Sequence, residues 1–264
     1  MLTAVRNQFR ITRLSIKYSL IREMLNKATF ISNVVFMVLN DACFIIQWII
    51  LFSLKENFGG YTLKQVLLLW GMAAGTYGTS RFFFKNAFSL SDLINKGKLD
   101  AYLVQPKNVL IQAITSGVES SALGDILYGY VTLIIYGITI KNFFLFTLFI
   151  ITGGLTVTSM AVIFGSLSFW LRKADMIADT GNSLLTNFAT YPDGIFKGVV
   201  KLLLYTVVPI GFAIYIPINI ITDFNFIDML KVLGITVSLI GLSNIIFNIG
   251  LRRYSSSNLM SARI

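Results

Sequence analysis

The chain has 264 residues, of which 55% are hydrophobic and 13% are charged, whereas charged residues make up about 25% of an ordinary soluble domain. This composition excludes the ordinary soluble class and predicts a membrane protein. The net charge of +10 does not indicate nucleic-acid binding, because the basic residues lie between apolar segments and form no basic face interleaved with aromatic residues.

The sequence lacks groups on which many enzymes and metal sites depend. It contains no histidine, so the commonest metal ligand and the usual general base are missing. The single cysteine, Cys43, lies in an apolar run and is interpreted as a small buried residue. No Gly-x-x-x-x-Gly-Lys-Ser/Thr phosphate loop occurs. We expect no catalytic residue, metal or cofactor in this chain, and any ATP with its Mg²⁺ to bind a partner chain.

Residues 1–27 contain six Lys or Arg residues and one Glu. We predict a helix that lies in the membrane surface with its cations on lipid phosphates, because a spanning segment follows at once. An ordinary solvated basic helix is the alternative. On a helix, a basic stripe and an apolar stripe lie side by side: Arg6, Arg10, Arg13 and Lys17 in the first, and Leu2, Val5, Phe9, Ile16 and Leu20 in the second.

Apolar segments of about 20 residues predict membrane-spanning helices. The first, residues 28–54, holds one charged residue, Asp41. A carboxylate in mid-bilayer is costly and is a functional candidate by default, although a satisfied hydrogen bond between helices fits equally well. Together with Asp41 we interpret three further intramembrane polar residues as candidates for a transport pathway: Asn40, Gln47 and Asp125.

The second predicted span, residues 62–84, contains the overlapping motifs Gly71-x-x-x-Gly75 and Ala74-x-x-x-Gly78. Small residues at this spacing let two helix backbones approach closely, so we expect a neighbouring helix on this face. The later spans that hydropathy predicts are residues 122–140 and 143–171, joined by an external turn at Lys141-Asn142, and residues 229–251, followed by a cytoplasmic tail over 252–264.

A charged segment, residues 86–108, separates the second span from the third. Sixteen of the 22 Lys and Arg residues lie on this side of the predicted topology, including Arg172-Lys173 and Arg263. By the positive-inside rule this side, with both chain ends, is the cytoplasm. Ser91-Asp92 indicates a helix start, and Gly97 indicates its end.

Part of this segment reads Gly97-Lys98-Leu99-Asp100-Ala101-Tyr102-Leu103-Val104-Gln105-Pro106-Lys107-Asn108. It resembles the G-x-L-D-x-x-L-x-x-P-x-N cytoplasmic loop of a family of bacterial ABC transporter permeases, the six-span exporter class with ABC-2-like subunits. Further short matches follow in order along nearly the whole chain: Leu123-Gly124-Asp125, Phe169-Trp170, Tyr191-Pro192, Pro209 and Gly250-Leu251-Arg252-Arg253-Tyr254-x-Ser256.

The resemblance implies an all-α, polytopic membrane protein with six transmembrane helices, the interfacial amphipathic helix and a cytoplasmic coupling helix. It implies a non-catalytic permease subunit of an exporter in the bacterial cell membrane, in contact with lipids and paired with ATPase subunits and a second permease. In that family the loop after the second span seats in a groove of the ATPase, which assigns to that contact Asp92, Lys96, Gly97, Lys98, Leu99, Asp100 and Ala101.

The fifth span is ambiguous. Hydropathy alone favours residues 199–221, whereas the resemblance favours residues 174–191, followed by short helices over 192–222 that dip in from outside. We prefer the second arrangement because Pro209 and Pro217 would interrupt a straight helix. Broken helices at membrane depth are tolerated where protein surrounds them.

Two other function classes are alternatives. A secondary transporter could be driven by protons through Asp41. An integral membrane lipid-modifying enzyme would need clustered carboxylates, commonly with a divalent metal, but the intramembrane carboxylates are dispersed singly along the chain: Asp41, Glu119, Asp125, Asp175 and Asp179.

Overall fold

The computed structural model describes residues 2–171 and 174–255, with side chains from Arg6 onward. The predicted marker Arg172-Lys173, residues 256–264 of the tail and the side chains of Leu2 and Val5 lie outside the described residues. The described residues form α-helices, short 3-10 turns and one π-helical turn, with no strand among them. This confirms the all-α class.

Long helices alternate with short ones that form the turns at either end. In chain order the helices are α1 (Leu2–Glu23), α2 (Lys27–Leu54), α3 (Leu63–Phe84), α4 (Leu90–Asn95), α5 (Asp100–Leu103), α6 (Val109–Thr115), α7 (Ala122–Gly137), α8 (Ile140–Ser166), α9 (Ala174–Ala189), α10 (Gly198–Thr206), α11 (Ile216–Thr222) and α12 (Phe226–Leu251).

Helix α1 packs on α6 through polar contacts. The Ser15 hydroxyl donates to the Thr115 carbonyl oxygen at 3.2 Å, and the Ser19 hydroxyl donates to the Ser116 carbonyl oxygen at 2.9 Å. Phe9, from the predicted apolar stripe, is 72% exposed. The predicted basic stripe is exposed at all four positions, and its placement on a membrane surface stays a prediction.

Helix α2 begins at an asparagine cap, where the Asn26 side chain accepts a hydrogen bond from the Thr29 N–H at 3.1 Å. Asp41 and Trp48 are the buried residues of α2, so most of this helix faces outward. Cys43 is exposed for the same reason. Its interpretation as a buried residue is wrong, because α2 packs against the protein along a narrow line that passes beside Cys43.

Helix α3 is the central helix, with 14 of its 22 residues buried. Its predicted small-residue face meets α7 in backbone contact. A Cβ atom at Gly71 would lie 1.6 Å from the Thr132 Oγ1, and one at Gly78 would lie 2.8 Å from the Ala122 carbonyl oxygen. On α7, a Cβ atom at Gly129 would lie 2.8 Å from the Gly71 carbonyl oxygen. The two helices are antiparallel and touch because both lack side chains here.

Contacts at two levels of each helix pair establish the directions of the other long helices. Helices α3, α8 and α12 run one way, and α2, α7 and α9 run the other way. Three pairs are parallel: α3 with α8 (Gly75 beside Ile150, then Ser80 beside Thr158), α8 with α12 (Thr156 beside Thr236, then Phe169 beside Gly250) and α2 with α7 (Asn33 beside Ser120, then Met37 beside Gly124). Helices α3 and α9 are antiparallel, because Tyr77 and Thr186 line one cavity and Arg81 and Asp179 line the other.

The turn between α7 and α8 lies earlier than predicted. Helix α7 ends at Gly137, whose φ of +135° favours glycine. Helix α8 begins at Ile140, and its cap Thr139 accepts a hydrogen bond from the Asn142 N–H at 3.1 Å. The predicted external turn at Lys141-Asn142 is wrong, because the threonine cap starts the helix before these residues.

Residues 198–222 form a broken helix. Helix α10 and the helical segment from 211 to 222 meet at 74°, and the break contains Pro209, which lacks the N–H that a continuous helix needs. Pro217 does not interrupt the chain, because it lies in the first turn of α11, after a π-helical turn over Gly211–Tyr215. The expected break is therefore present at Pro209 and absent at Pro217.

Among the described residues, three helices are long and apolar enough to cross a membrane: α2, α8 with its 3-10 extension to Phe169, and α12. A fourth crossing is added if the bent pair counts as one span. Helices α3, α7 and α9 do not meet these criteria, although α7 is apolar along its 16 residues. Length and composition alone thus support fewer than the six predicted spans.

We expect Gly71→Ala to destabilise the detergent-solubilised protein by about 1–3 kcal/mol, the usual cost of overpacking. The new methyl group would collide with Thr132. The matched control is Gly241→Ala on α12, where a Cβ atom meets nothing within 4 Å and alanine favours the helix. Thermal melting of the two variants checks this, and equal melting temperatures would contradict the backbone contact.

Candidate functional site

A cavity of about 400 Å³ lies between α2, α3, α7 and α9. It brings together all four predicted pathway candidates, Asn40, Asp41, Gln47 and Asp125. Asn40 and Gln47 are exposed, so the cavity opens outward along α2. The role of these residues in transport stays a prediction.

Five aromatic residues line the same cavity: Phe44, Trp48, Trp70, Tyr77 and Tyr191. The Phe44 and Trp70 rings stack with their centroids 4.5 Å apart. The Trp48 and Tyr191 rings meet edge to face at 6.3 Å. In the described part of the chain, no Lys or Arg side chain lines this cavity, so its formal charges are those of two carboxyl groups.

Those carboxyl groups, of Asp41 and Asp125, interact directly with each other. Each residue is 6% exposed. The pair forms because α2 and α7 touch at Gly124, where a Cβ atom would lie 2.6 Å from the Val34 carbonyl oxygen. The interpretation that the carboxylates are dispersed singly is therefore wrong for this pair, since tertiary packing joins residues that are distant in sequence.

The Trp70 Nε1–H group lines the cavity, is buried and has no hydrogen-bond partner among the described residues. Buried polar atoms are nearly always paired, so this donor can bond to water or to a polar group that enters the cavity.

A second cavity lies further along α3, toward α4, and shares Thr186 and Asn187 with the first. Arg81 and Asp179 line it. The Arg81 guanidinium forms an ion pair with Glu119 at 3.6 Å. Glu119 thus partly balances the charge of Arg81, which weakens the electrostatic effect of Arg81 on the carboxyl pair of the first cavity.

Helix α9 contributes one polar face to both cavities. Apart from Asp179, which the sequence marked only as a carboxylate within a span, these residues were missed in the sequence. The signal was available as polar residues at helical spacing within a predicted span. Leu185 and Ala189, on the other face, are buried. The cavity-lining face consists of Asp179, Asn182, Ser183, Thr186, Asn187 and Thr190.

The segment predicted to be cytoplasmic and to contact an ATPase folds into α4 and α5, joined by a turn at Gly97. These residues, 90–103, are called the coupling element. Helix α4 starts at Leu90, close to the predicted start. At its end Gly97 has a φ of +68°. The Lys98 N–H donates to the Leu93 carbonyl oxygen at 2.9 Å, and the Gly97 N–H donates to that of Ile94 at 3.2 Å. This Schellman ending favours glycine.

One side of the coupling element is buried against the long helices. Leu90, Ile94 and Leu99 join a hydrophobic cluster with residues of α6, α8 and α12. Gly165 of α8 makes room for Leu90, since a Cβ atom there would lie 2.8 Å from the Leu90 Cβ. Leu99, one of the predicted ATPase contacts, therefore faces the interior of the protein.

Asp100 also turns inward, because its carboxylate accepts a hydrogen bond from the Tyr254 hydroxyl at 2.9 Å. Burial and the adjacent Asp100 raise the pKa of Tyr254 to about 12, so the phenol keeps its proton at neutral pH. The Tyr254 ring packs edge-on to Phe169, with centroids 6.2 Å apart. These contacts tie α5 to the ends of α8 and α12.

The other side of the coupling element, called the outer face, is exposed. Asp92 forms an ion pair with Lys96 one turn later. Val104, just beyond α5, is 84% exposed. The predicted contact residues thus divide: Leu99 and Asp100 face inward, Asp92 and Gly97 are partly exposed, and Lys96, Lys98 and Ala101 are exposed. The outer face consists of these three exposed residues together with Asn95, Leu103 and Val104, which were not predicted.

At the opposite end of the helices, Asp193 links the broken helix to the turn between α2 and α3. It accepts hydrogen bonds from the hydroxyl groups of Tyr61 and Tyr205, each at 3.0 Å, and pairs with Lys201 at 3.1 Å. Burial, with Asp193 nearby, raises the pKa of Tyr61 above its usual range, so it remains a donor. At this end of the helices, the charge of Lys201 is therefore balanced by Asp193.

Comparison with known protein families supplies the remaining finding. The family model described as "ABC-2 family transporter protein" matches residues 38–258. This match begins within α2 and includes α3 to α12, the whole coupling element and every lining residue of both cavities except Met37. No curated protein and no solved structure matched the chain.

We expect Asn187→Cys, in a Cys43→Ser background, to react with a water-soluble methanethiosulfonate, and Leu185→Cys to remain unreactive. Asn187 lines both cavities, whereas Leu185 is 1% exposed, and thiols react as hydrated thiolates. The two positions lie on one helix two residues apart, so their depth is matched. Equal rates would show that the polar face of α9 is not wetted.

Proposed function

The chain belongs to the ABC-2 family of transporter proteins, and from this premise we propose that it is the permease subunit of an ATP-driven exporter. In this role it forms the translocation path, and a separate ATPase chain binds and hydrolyses ATP with Mg²⁺. The observation that carries the proposal is the coupling element, which is attached to the long helices on one side and exposed on the other.

The buried side of the coupling element would transmit force. Leu90, Ile94 and Leu99 pack against α6, α8 and α12 at once, and close-packed interiors transmit displacement instead of absorbing it. A push on the outer face would therefore tilt several long helices together.

The chemistry of the outer face defines the partner surface. Leu103 and Val104 are exposed apolar residues, and Lys96 and Lys98 are exposed basic residues of the same face. Protein interfaces commonly place apolar residues inside a polar rim. We infer an ATPase groove with an apolar floor and acidic edges.

The helix directions support six crossings. In chain order α2, α3, α7, α8, α9 and α12 alternate in direction, as successive membrane spans do. Helix α3 has 22 residues, roughly 33 Å at 1.5 Å per residue, and the hydrocarbon core is about 30 Å thick. The lower apolarity of α3 and α9 fits helices that pack inside a bundle or line cavities, where polar residues are tolerated.

A second permease would cover the outward-facing helices. Within the chain, 72% of the apolar window of α8 is buried, against 11% for α2 and 22% for α12. The first cavity opens along the same face of α2. We propose that a second copy or a paralogous permease packs there, in the bacterial cell membrane, with both chain ends in the cytoplasm.

A second candidate function is transport driven by protons, and the Asp41–Asp125 pair favours it, because intramembrane carboxyl groups commonly serve in proton relays. The two candidates differ in their energy source. Vesicle transport that survives mutation of the partner's Walker lysine and follows the proton gradient would support the second. Transport abolished by that mutation would support the first.

We expect Lys98→Glu/Val104→Asp to abolish capture of the ATPase subunit when the chain is co-expressed with its genomic neighbours, because it places charge in the apolar centre and reverses a rim charge. The matched control is Lys64→Glu/Ile140→Asp, two exposed residues at the opposite end of the helices. Mass spectrometry of the purified complex identifies the captured chain. Unchanged capture by the first variant would contradict the outer face as the contact.

We expect Gly97→Val and Asp100→Lys to insert and to bind the ATPase, but to uncouple it. Valine is strained at a φ of +68°, and Asp100→Lys removes the acceptor for Tyr254, a charged hydrogen bond worth about 1.5–3 kcal/mol. The readout is the change in Asn187→Cys labelling rate on adding ATP. ATP should change it in the parent chain and leave it unchanged in both variants, while ATP hydrolysis continues. If coupling in both variants equals that of the parent, the coupling element is an ordinary solvated loop and does not transmit the effect of ATP.

A further inference from the structure

We propose that the cavity between α2, α3, α7 and α9 binds the transported substrate within one permease chain, and that this substrate is an amphipathic organic cation with an aromatic or apolar body. The inference deepens the function proposed above and rests on it. It is carried by the juxtaposition, in one cavity, of the Asp41–Asp125 pair and five aromatic side chains.

The charge balance of the cavity calls for a cation. Asp41 and Asp125 supply its two carboxyl groups, and in the described part of the chain no basic side chain lines it. The nearby Arg81 is paired with Glu119 at 3.6 Å. The two carboxyl groups lie next to each other in this buried site. Two neighbouring carboxylates are costly there because like charges repel, and a bound cation would remove that cost.

The aromatic walls select an organic cation over a hydrated metal ion. Trp48 and Trp70 both line the cavity, and tryptophan faces attract cations most strongly. The stacked Phe44–Trp70 pair, 4.5 Å between centroids, offers a flat apolar wall. Quaternary ammonium groups are recognised by aromatic cages of this kind.

The size and openings of the cavity suit a ligand of this class. Its volume of about 400 Å³ lies in the usual range for drug-sized ligands. It shares the lining residues Thr186 and Asn187 with the second cavity, whose lining includes Phe88, just before the coupling element. A cation from the cytoplasmic end would thus pass the polar face of α9 before it reaches the carboxyl pair.

The test is equilibrium binding to the full chain in lipid nanodiscs, with two probes of the same shape and opposite charge. Tetraphenylphosphonium is the cation, and tetraphenylborate is the matched anion. We expect saturable binding of the phosphonium to the parent chain, and affinity lower by roughly tenfold or more in Asp41→Asn/Asp125→Asn, because the favourable charge is removed. The matched control Asp228→Asn, outside the cavity, should bind as the parent does.

Two outcomes would overturn the inference: equal phosphonium binding by the parent and the double variant, or saturable borate binding at comparable affinity, as expected of a lipid-filled apolar cleft. If the double variant does not fold, the two probes on the parent chain still decide. ATPase capture is measured on the same preparation. Capture without cation binding overturns this inference alone, whereas cation binding without capture contradicts the proposed permease function and leaves the cavity chemistry standing.

Discussion

The backbone contact between α3 and α7 is the constraint on which the rest of the structure depends. In lipid there is little hydrophobic driving force between helices, so association depends on close packing and interhelical hydrogen bonds. Gly71, Gly78 and Gly129 permit that packing. On another side of α3, Gly75 faces α8, and Ile150 of α8 fills the space that a side chain at Gly75 would take.

Because these contacts fix the position of α3, they also fix the positions of the cavities that α3 lines and of the coupling element that follows it. Trp70 and Tyr77 face the first cavity, and Arg81 faces the second. Beyond its end, the chain enters the coupling element, whose buried leucines pack on α6, α8 and α12. One rigid helix thus connects the cavity that we assign to substrate with the surface that we assign to the ATPase, which is the geometry that a mechanically coupled transporter needs.

Much of this architecture is local and could be predicted from the sequence. The helix end at Gly97 and the break at Pro209 follow from backbone chemistry that a single residue decides. The small-residue motif around Gly71 predicted a close neighbour but not which helix it would be. The turn before α8 was misplaced because a threonine cap at Thr139 outweighed the polar pair Lys141-Asn142, which suggested a loop.

The candidate site was only half visible, for a physical reason. Asp41 and Asp125 each stood out as carboxylates in apolar runs, but their contact depends on the packing of α2 against α7 at Gly124, which no local pattern encodes. Leu99 and Asp100 belonged to the most recognisable motif, yet they face inward. The order of residues in the motif identified the coupling element. Only the tertiary contacts show which of its residues anchor it to the long helices and which are exposed on the outer face.

The most direct test of the central claim is site-specific photo-cross-linking in membranes of the native cell, with a benzophenone amino acid at Val104, which is 84% exposed on the outer face. The account predicts an adduct that mass spectrometry identifies as a Walker-motif ATPase, and none from the same amino acid at Ile140, 80% exposed at the opposite end. An adduct of equal yield from both positions, or no ATPase adduct from Val104, would contradict it.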